Sequence, residues 1–500
     1  MSFCANFPLF CIVGSLVCSV VSSMLTGKTA RRLSMVLTMT VAVLGVFVLQ
    51  MVRLQGEPVT YLMGHFPHPW GNEIRMGLLE PLFSCYFSMV LFLCLLGGRK
   101  HLIADLEPEK SQLYFVMADL IQAALLVLVY TNDLFTGYVF IEICTIASCG
   151  ILMIRQIGRT TLASVRYMIF SLIGSGLFLM GSAVLYDITG HLLIPSLRQA
   201  VEELAASGQY RIPLVSAICL ITVGLAIKSG LFPFHYWMPD TYGYATPCSS
   251  GILSGLVSKG YLFFLLKLIF SVFGTKVFYG SGVQNVLFVF GICGIIFGSV
   301  GAIQENDIFR MLANSSAAQI GYIFLGIGIS PAHGVLAALF HILNHAVTKP
   351  ALFLAASALS DAAGGSKRFK ELQGSGYANP LAGAMFTLGA FSMIGVPLTM
   401  GFMSKYLLAM AALETQKKLM LTLVVLAVST ILNTFYFART VIRLYNTPQR
   451  VFSQKVRIRS QWSYALAAIP FALLNLTAGI FTAPLISFLE HGMELFGKAG

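Results

Sequence analysis

The chain alternates long apolar blocks with short polar joints. Fourteen blocks can be drawn, at residues 7–25, 33–52, 78–97, 112–131, 134–154, 162–186, 213–231, 245–273, 281–303, 307–330, 333–359, 380–412, 417–444 and 461–489. Their lengths suit helices crossing about 30 Å of hydrocarbon, which takes about 20 residues. A backbone in lipid must satisfy its own polar groups, so the choice lies between a helix bundle and a closed barrel. Continuous apolar runs without dyad alternation select helices. The pattern predicts an all-α integral membrane protein of about fourteen transmembrane helices. Segment 193–207 is too short and too charged to cross, and is expected as a surface helix or a loop.

Two blocks are too long for one straight helix and carry breakers in the middle. Tyr210 to Ala245 contains Gly230, Pro233 and Pro239, and Pro380 to Leu413 contains Gly395, Pro397 and Gly401. They form the seventh and twelfth spans. Interrupted helices at matching positions point to a repeated transporter fold. An offset of five spans reverses orientation, so two inverted five-helix repeats are expected, helices four to eight and nine to thirteen. The implied division is 1–111 for the first three helices, 112–273 and 281–444 for the repeats, and 445–500 for a C-terminal loop and last helix.

Composition sharpens this picture. The chain is 57% hydrophobic and only 10% charged, with a formal charge of +12. In a soluble protein that charge would suggest nucleic acid. Here the basic residues fall in short loops, where they set topology, and no nucleic-acid partner is expected. The richer face holds Lys28, Arg31, Arg32, Arg99, Lys100 and Arg155 among others, which puts it in the cytoplasm and both termini outside. The first block lacks a basic stretch before it, so it is expected as a span and not as a cleaved signal peptide. No P-loop or dinucleotide fingerprint occurs, and none of the ten cysteines forms a CxxC pair, so no metal and no cofactor is expected.

Ionisable residues inside membrane spans are costly and by default mark a pathway. Glu142, Lys228, His235, Lys259, His341, His345, Lys349 and Lys405 lie within apolar spans or at the helix breaks. Glu142 in the fifth span needs a proton or a cation, and Lys228 beside the seventh-span break is the expected partner. Such a pair is strongly coupled, as a proton switch requires. A buried Lys259 can gain and lose a proton near neutrality. His341, His345 and Lys349 are spaced i, i+4, i+8 and so form one stripe on a helix, fit to relay protons through water. Lys267, near a helix end, is weighed as a snorkelling side chain, and Asp119 is an intramembrane acid with no evident partner.

The stretch from Lys228 to Lys259, with GLFPFHYWMPDTY between, resembles the antiporter-like subunits shared by respiratory complex I, membrane-bound hydrogenases and Mrp-type cation/proton antiporters. DIFRMLANSSAAQIGY, from Asp307 to Tyr322, resembles the start of that family's tenth span. The resemblance covers about residues 70 to 445. It implies a polar axis along the membrane plane: a fifth-span glutamate paired with a seventh-span lysine, then an eighth-span lysine, eleventh-span histidines and a twelfth-span lysine or glutamate. Glu142, Lys228, Lys259, His341, His345, Lys349 and Lys405 fall on those positions, and His235 matches the histidine after the seventh-span lysine.

HFPHPWGNEI, from His65 to Ile74, and the lysine at position 405 are similar to the Mrp D-type and hydrogenase branch. Complex I subunits of type M or N are the alternative. The resemblance implies a prokaryotic inner membrane, other membrane subunits as partners, and protons, with or without sodium, as cargo. Nothing in the chain could oxidise a substrate, so energy would come from those partners. A structural subunit with a degenerate channel and a metabolite carrier are the competing readings. The row of titratable anchors favours neither.

Overall fold

The computed structural model describes residues 3–66, 71–447 and 461–496. Among these, 13 helices are long and apolar enough to cross a membrane. Pro380–Ile394 and Met400–Leu413 are two shorter apolar helices in line, and together they supply the twelfth crossing of a fourteen-span bundle. The eighth, tenth and eleventh spans each contain an 18-residue stretch that is entirely buried inside the protein. The first, second, sixth and thirteenth present most of their surface outward. The chain thus builds an inner column of helices with an outer ring, and the column carries most of the polar side chains discussed below.

Both long blocks break where the glycines and prolines stand. The seventh span runs Arg211–Ser229 and stops at Gly230, whose φ of 86° is left-handed. A short 3₁₀ turn, Phe234–Trp237, and a helix, Met238–Tyr244, complete the crossing. The twelfth span stops at Ile394 with Gly395 at φ 93° and resumes at Met400. A left-handed glycine is a standard helix stop because it lacks the Cβ that opposes this conformation.

Three features differ from the pattern-based expectation, and a fourth, segment 193–207, takes one of the two forms expected of it. The eighth span is longer than 245–273, running Pro247–Gly280, and contains two π-helical turns, Leu253–Val257 and Ile269–Phe273. The block 461–489 is two helices, Trp462–Ile480 and Thr482–Phe496. Pro484 sits in the first turn of the second helix, where its missing N–H costs nothing. Segment 193–207 is a helix, Ile194–Ser207, with an Arg198–Glu202 pair at 2.9 Å. Ahead of the third span, Val59–Leu62 pairs antiparallel with Glu73–Met76, a hairpin that apolar periodicity does not reveal. Of the His65–Ile74 stretch, residues 67–70 lie outside the described residues.

Candidate functional site

Close packing of the eighth and eleventh spans assembles the site. A Cβ at Gly255 would fall 2.4 Å from Pro350 Cγ and 3.2 Å from the Ala346 carbonyl, so only glycine lets these helices approach. Just after the π turn beside this contact, Lys259 Nζ donates to the carbonyl of Ser254 within that turn at 2.6 Å and to Ser258 Oγ at 2.9 Å. A π turn inside an α-helix often marks a functional position. Lys259 is fully buried.

The stripe of the eleventh span faces inward. His341, His345 and Lys349 are each at most 1% exposed. His341 Nδ1 lies 2.5 Å from Ser404 Oγ of the twelfth span, and its ring sits 5.3 Å from that of Tyr322. The His341 and His345 rings are 6.3 Å apart and nearly parallel. Lys349 Nζ donates to the Leu312 carbonyl of the tenth span at 2.9 Å. Lys259 acts electrostatically on all three members of the stripe, and Lys405 acts on His341. The stripe therefore stands between the two lysines. Both ring nitrogens of His345 and Nε2 of His341 are buried without a protein partner. Asn475 of the last crossing ties the eleventh span to the twelfth through Thr348 at 2.8 Å and Ser392 at 3.0 Å.

Lys405 closes the row. Its Nζ reaches back across the helix break to the Ile394 carbonyl at 2.7 Å and to Thr430 Oγ1 at 3.2 Å. Ile394 is the last residue of the helix before the break, so the ammonium sits on the negative end of a helix dipole. At the other end of the row, Lys228 is buried in the last turn before its own break and donates to Thr145 Oγ1 at 2.7 Å. Its Nζ also lies 5.4 Å from the Tyr261 ring centre.

Here the geometry departs from the expected ion pair. No contact within 4.0 Å joins Glu142 to Lys228 among the described residues, although the carboxylate remains in electrostatic reach. Glu142 is half-buried, one turn before Thr145 on the same helix. His235 lies in the 3₁₀ turn after the break, 5% exposed, with Nδ1 unpartnered and its ring 4.6 Å from that of Tyr236.

Lys267 is not a snorkelling side chain. It is fully buried, donates to the Val129 carbonyl at 2.8 Å and lies 4.0 Å from Glu80 Oε1. Glu80 is paired with Arg75 at 3.0 Å, and Arg75 donates to the Leu495 carbonyl at 2.6 Å. The hairpin and the helix Thr482–Phe496 thus cover a buried charge cluster that periodicity did not single out. A glutamate and an arginine five residues apart at the edge of an apolar block were its only trace.

A second cluster sits where the eleventh span ends. His101 Nε2 meets Ser357 Oγ at 2.7 Å and Asp361 Oδ2 at 3.3 Å, while Nδ1 lies 3.2 Å from Asp105. Burial disfavours the charged ring, but the two carboxylates outweigh it and push the His101 pKa up to about 9.

A profile of the family described as NADH:quinone oxidoreductase/Mrp antiporter, TM, matches residues 131–431. The N-type subunit of the NADH-quinone oxidoreductase of Desulforudis audaxviator is 31% identical over 88% of this chain and 87% of its own. The D-type subunit of the Na(+)/H(+) antiporter of Alkalihalophilus pseudofirmus is 26% identical over 85% and 84%. The fold matches a chain of the membrane-bound sulfane sulfur reductase, an archaeal respiratory membrane complex, with a TM-score of 0.89 at 22% identity, covering 100% of this chain and 98% of that one. It also matches a chain of the Mrp complex from a Dietzia species with a TM-score of 0.86 at 21% identity and the same coverage. The relatives are subunits of multi-subunit membrane assemblies. It is a multi-pass membrane protein of the NADH:quinone oxidoreductase/Mrp antiporter family.

Proposed function

We propose that this chain translocates protons within a larger complex, along the row Glu142, Lys228, Lys259, His345, His341 and Lys405, with Lys349 and His235 flanking it. The observation that carries the reading is the eleventh-span stripe, fully buried between Lys259 and Lys405 with three ring nitrogens unpartnered. An unpaired buried polar group costs about 1–3 kcal/mol, so a hydrated row is the arrangement that satisfies these nitrogens. Water between the rings also supplies the relay, since hydrogen bonds reach only about 3 Å and the rings lie 6.3 Å apart.

Charge exchange would propagate where neighbours act on one another: Glu142 acts on Lys228, Lys259 on both histidines, and Lys405 on His341. Lys228 resting on Thr145 and not on Glu142 fits a switch in an open state, with the lysine free to swing one helical turn. Helices four to eight and nine to thirteen serve as inverted halves, each with one broken helix. The parent assembly is of the Mrp or hydrogenase-like kind, with a complex I subunit of type N as the second reading. The 31% identity to such a subunit favours that second reading.

The test is proton uptake into liposomes carrying the intact complex. Glu142→Gln and Lys259→Met should each lower the rate by at least about tenfold, a barrier change of about 1.4 kcal/mol or more. Normal rates from fully assembled Lys259→Met complexes would sink the proposal.

A further inference from the structure

A cavity of about 460 Å³ opens where the second, third and fourth spans meet the basic end of the protein. No group of the row described above lines it. Its walls are of two kinds. Lys28 and Arg31, at the start of the second span, supply positive charge. Leu102, Ile103 and Leu106, which follow the third span, and Phe115 of the fourth supply an apolar surface. Close packing holds the two together. A Cβ at Gly27 would fall 1.6 Å from Ser111 Oγ, so only glycine lets the second span start against the fourth.

The charge on the first wall is uncompensated. Among the described residues no hydrogen bond or ion pair engages the side chains of Lys28, Arg31 or Arg32. No carboxylate lines the cavity. Of the acids in the neighbouring loop, Asp105 is held by His101 at 3.2 Å and Glu107 by Lys110 at 2.6 Å. Arg31 is half-buried, and the charges that act on it are Arg32 and Arg99, both of its own sign. Like charges gathered without an acid repel one another, and an anion among them relieves the repulsion.

The second wall narrows the choice of anion. The first and second spans present most of their surface outward. Met24 and Val36, on either side of the cations in the chain, are exposed, and Ile103 is 57% exposed. The cavity therefore adjoins the belt that faces lipid chains. A free anion would use the cations and leave the apolar wall in water. A phospholipid uses both, with phosphodiester oxygens accepting from Lys28 and Arg31 and its glycerol and first methylenes covering Ile103, Leu106 and Phe115. The volume falls among those of small-molecule sites, about 300–1,000 Å³. The cations also discriminate between lipids, because the ammonium of a zwitterionic headgroup would meet three positive charges. The loop-charge rule assigns this end to the cytoplasm, and the leaflet there is the one rich in anionic lipid.

We infer that this cavity binds one anionic phospholipid, its phosphodiester held by Lys28 and Arg31 and its chains laid against Ile103, Leu106 and Phe115. Arg32 and Arg99 add to the attraction without lining the cavity. The site shares no residue with the proton row, so each assignment stands or falls by its own experiment.

The test uses the purified intact complex, stripped of lipid in detergent and supplied with phosphatidylglycerol that carries a photoactivatable diazirine on its acyl chain. After illumination, labelled peptides are identified by mass spectrometry. Label should appear within residues 99–115. Excess plain phosphatidylglycerol should remove it, whereas phosphatidylethanolamine and inorganic phosphate should not. Lys28→Gln and Arg31→Gln should each lower the label several-fold, and both should assemble, since neither leaves a partner stranded. Lys276→Gln, which removes the same charge at the opposite end of the bundle, should leave the label unchanged. Undiminished label in Arg31→Gln, or competition by phosphatidylethanolamine or inorganic phosphate equal to that by phosphatidylglycerol, would overturn the assignment. So would label found elsewhere in the intact complex but absent from 99–115, which would mean that a neighbouring subunit fills the cavity.

Discussion

At the residue scale, the same residue type plays different parts according to what surrounds it. Lys259 and Lys267 share a helix and are both fully buried, yet one faces the histidine stripe and the other a carboxylate. Removing one partner of a buried pair costs about 3–5 kcal/mol, because the other charge is left uncompensated. Lys267→Ala should therefore reduce the yield of assembled complex, read by size-exclusion chromatography. His345→Ala should assemble normally and lower turnover instead, since it has no protein partner to strand.

His101 gives a pH prediction. Its pKa is raised from about 6.5 to about 9, so its contribution to stability is complete below pH 6.5 and is lost as pH rises through 9. A shift of this size corresponds to a free energy on the order of 3 kcal/mol. The apparent Tm of the wild-type complex should fall by a few degrees more than that of His101→Gln between those limits.

What the chain made legible at this scale followed from single helices. The i, i+4, i+8 stripe is a property of one helix, so its common face could be worked out from spacing alone. The choice of Thr145 over Glu142 as the partner of Lys228 depends on how the fifth and seventh spans are rotated against each other, which spacing does not contain. The burial of Lys267 is not legible from its own helix, because its cover, the hairpin and the last helix, lies 191 to 229 positions away along the chain on either side.

At the element scale, the helix breaks position charge. Gly395 holds a left-handed φ, and a Cβ there would lie 3.1 Å from Lys405 Cδ. Gly395→Ala should add about 1 kcal/mol of backbone strain and push Lys405 off the helix end. The expected result is an assembled complex with proton transport reduced several-fold, whereas Gly14→Ala, which meets open space, should transport normally. The breaks were legible because glycine and proline act locally. The π turns of the eighth span were not, because an extra residue per turn is stabilised by tertiary contacts such as Gly255 against Pro350. The hairpin escaped notice because its two four-residue strands are too short to show a period.

At the scale of the whole molecule, charge ties the sixth, seventh and tenth spans together at one end. Asp240, after the seventh-span break, pairs with Arg166 of the sixth span at 2.5 Å and with Arg310 of the tenth. Lys367 donates to the Gly243 carbonyl at 2.8 Å from the loop after the eleventh span. Basic residues crowd this end, which the loop-charge rule assigns to the cytoplasm. In a cysteine-free background, a membrane-impermeant thiol reagent added from outside should label Phe3→Cys and Lys276→Cys and spare Lys28→Cys. Labelling of Lys28→Cys alone would invert the orientation.

The seat of Lys405 has a consequence of its own. Its counter-charge is the carbonyl end of a helix, held by the break at Gly395. A carboxylate in that place could be neutralised by the very protons being moved, and the pair would then have two variables. A helix end cannot be protonated away at any working pH. The attraction on Lys405 is therefore a constant, the lysine is the sole element that changes state, and its occupancy follows its neighbours in the row without a second titration to blur the response.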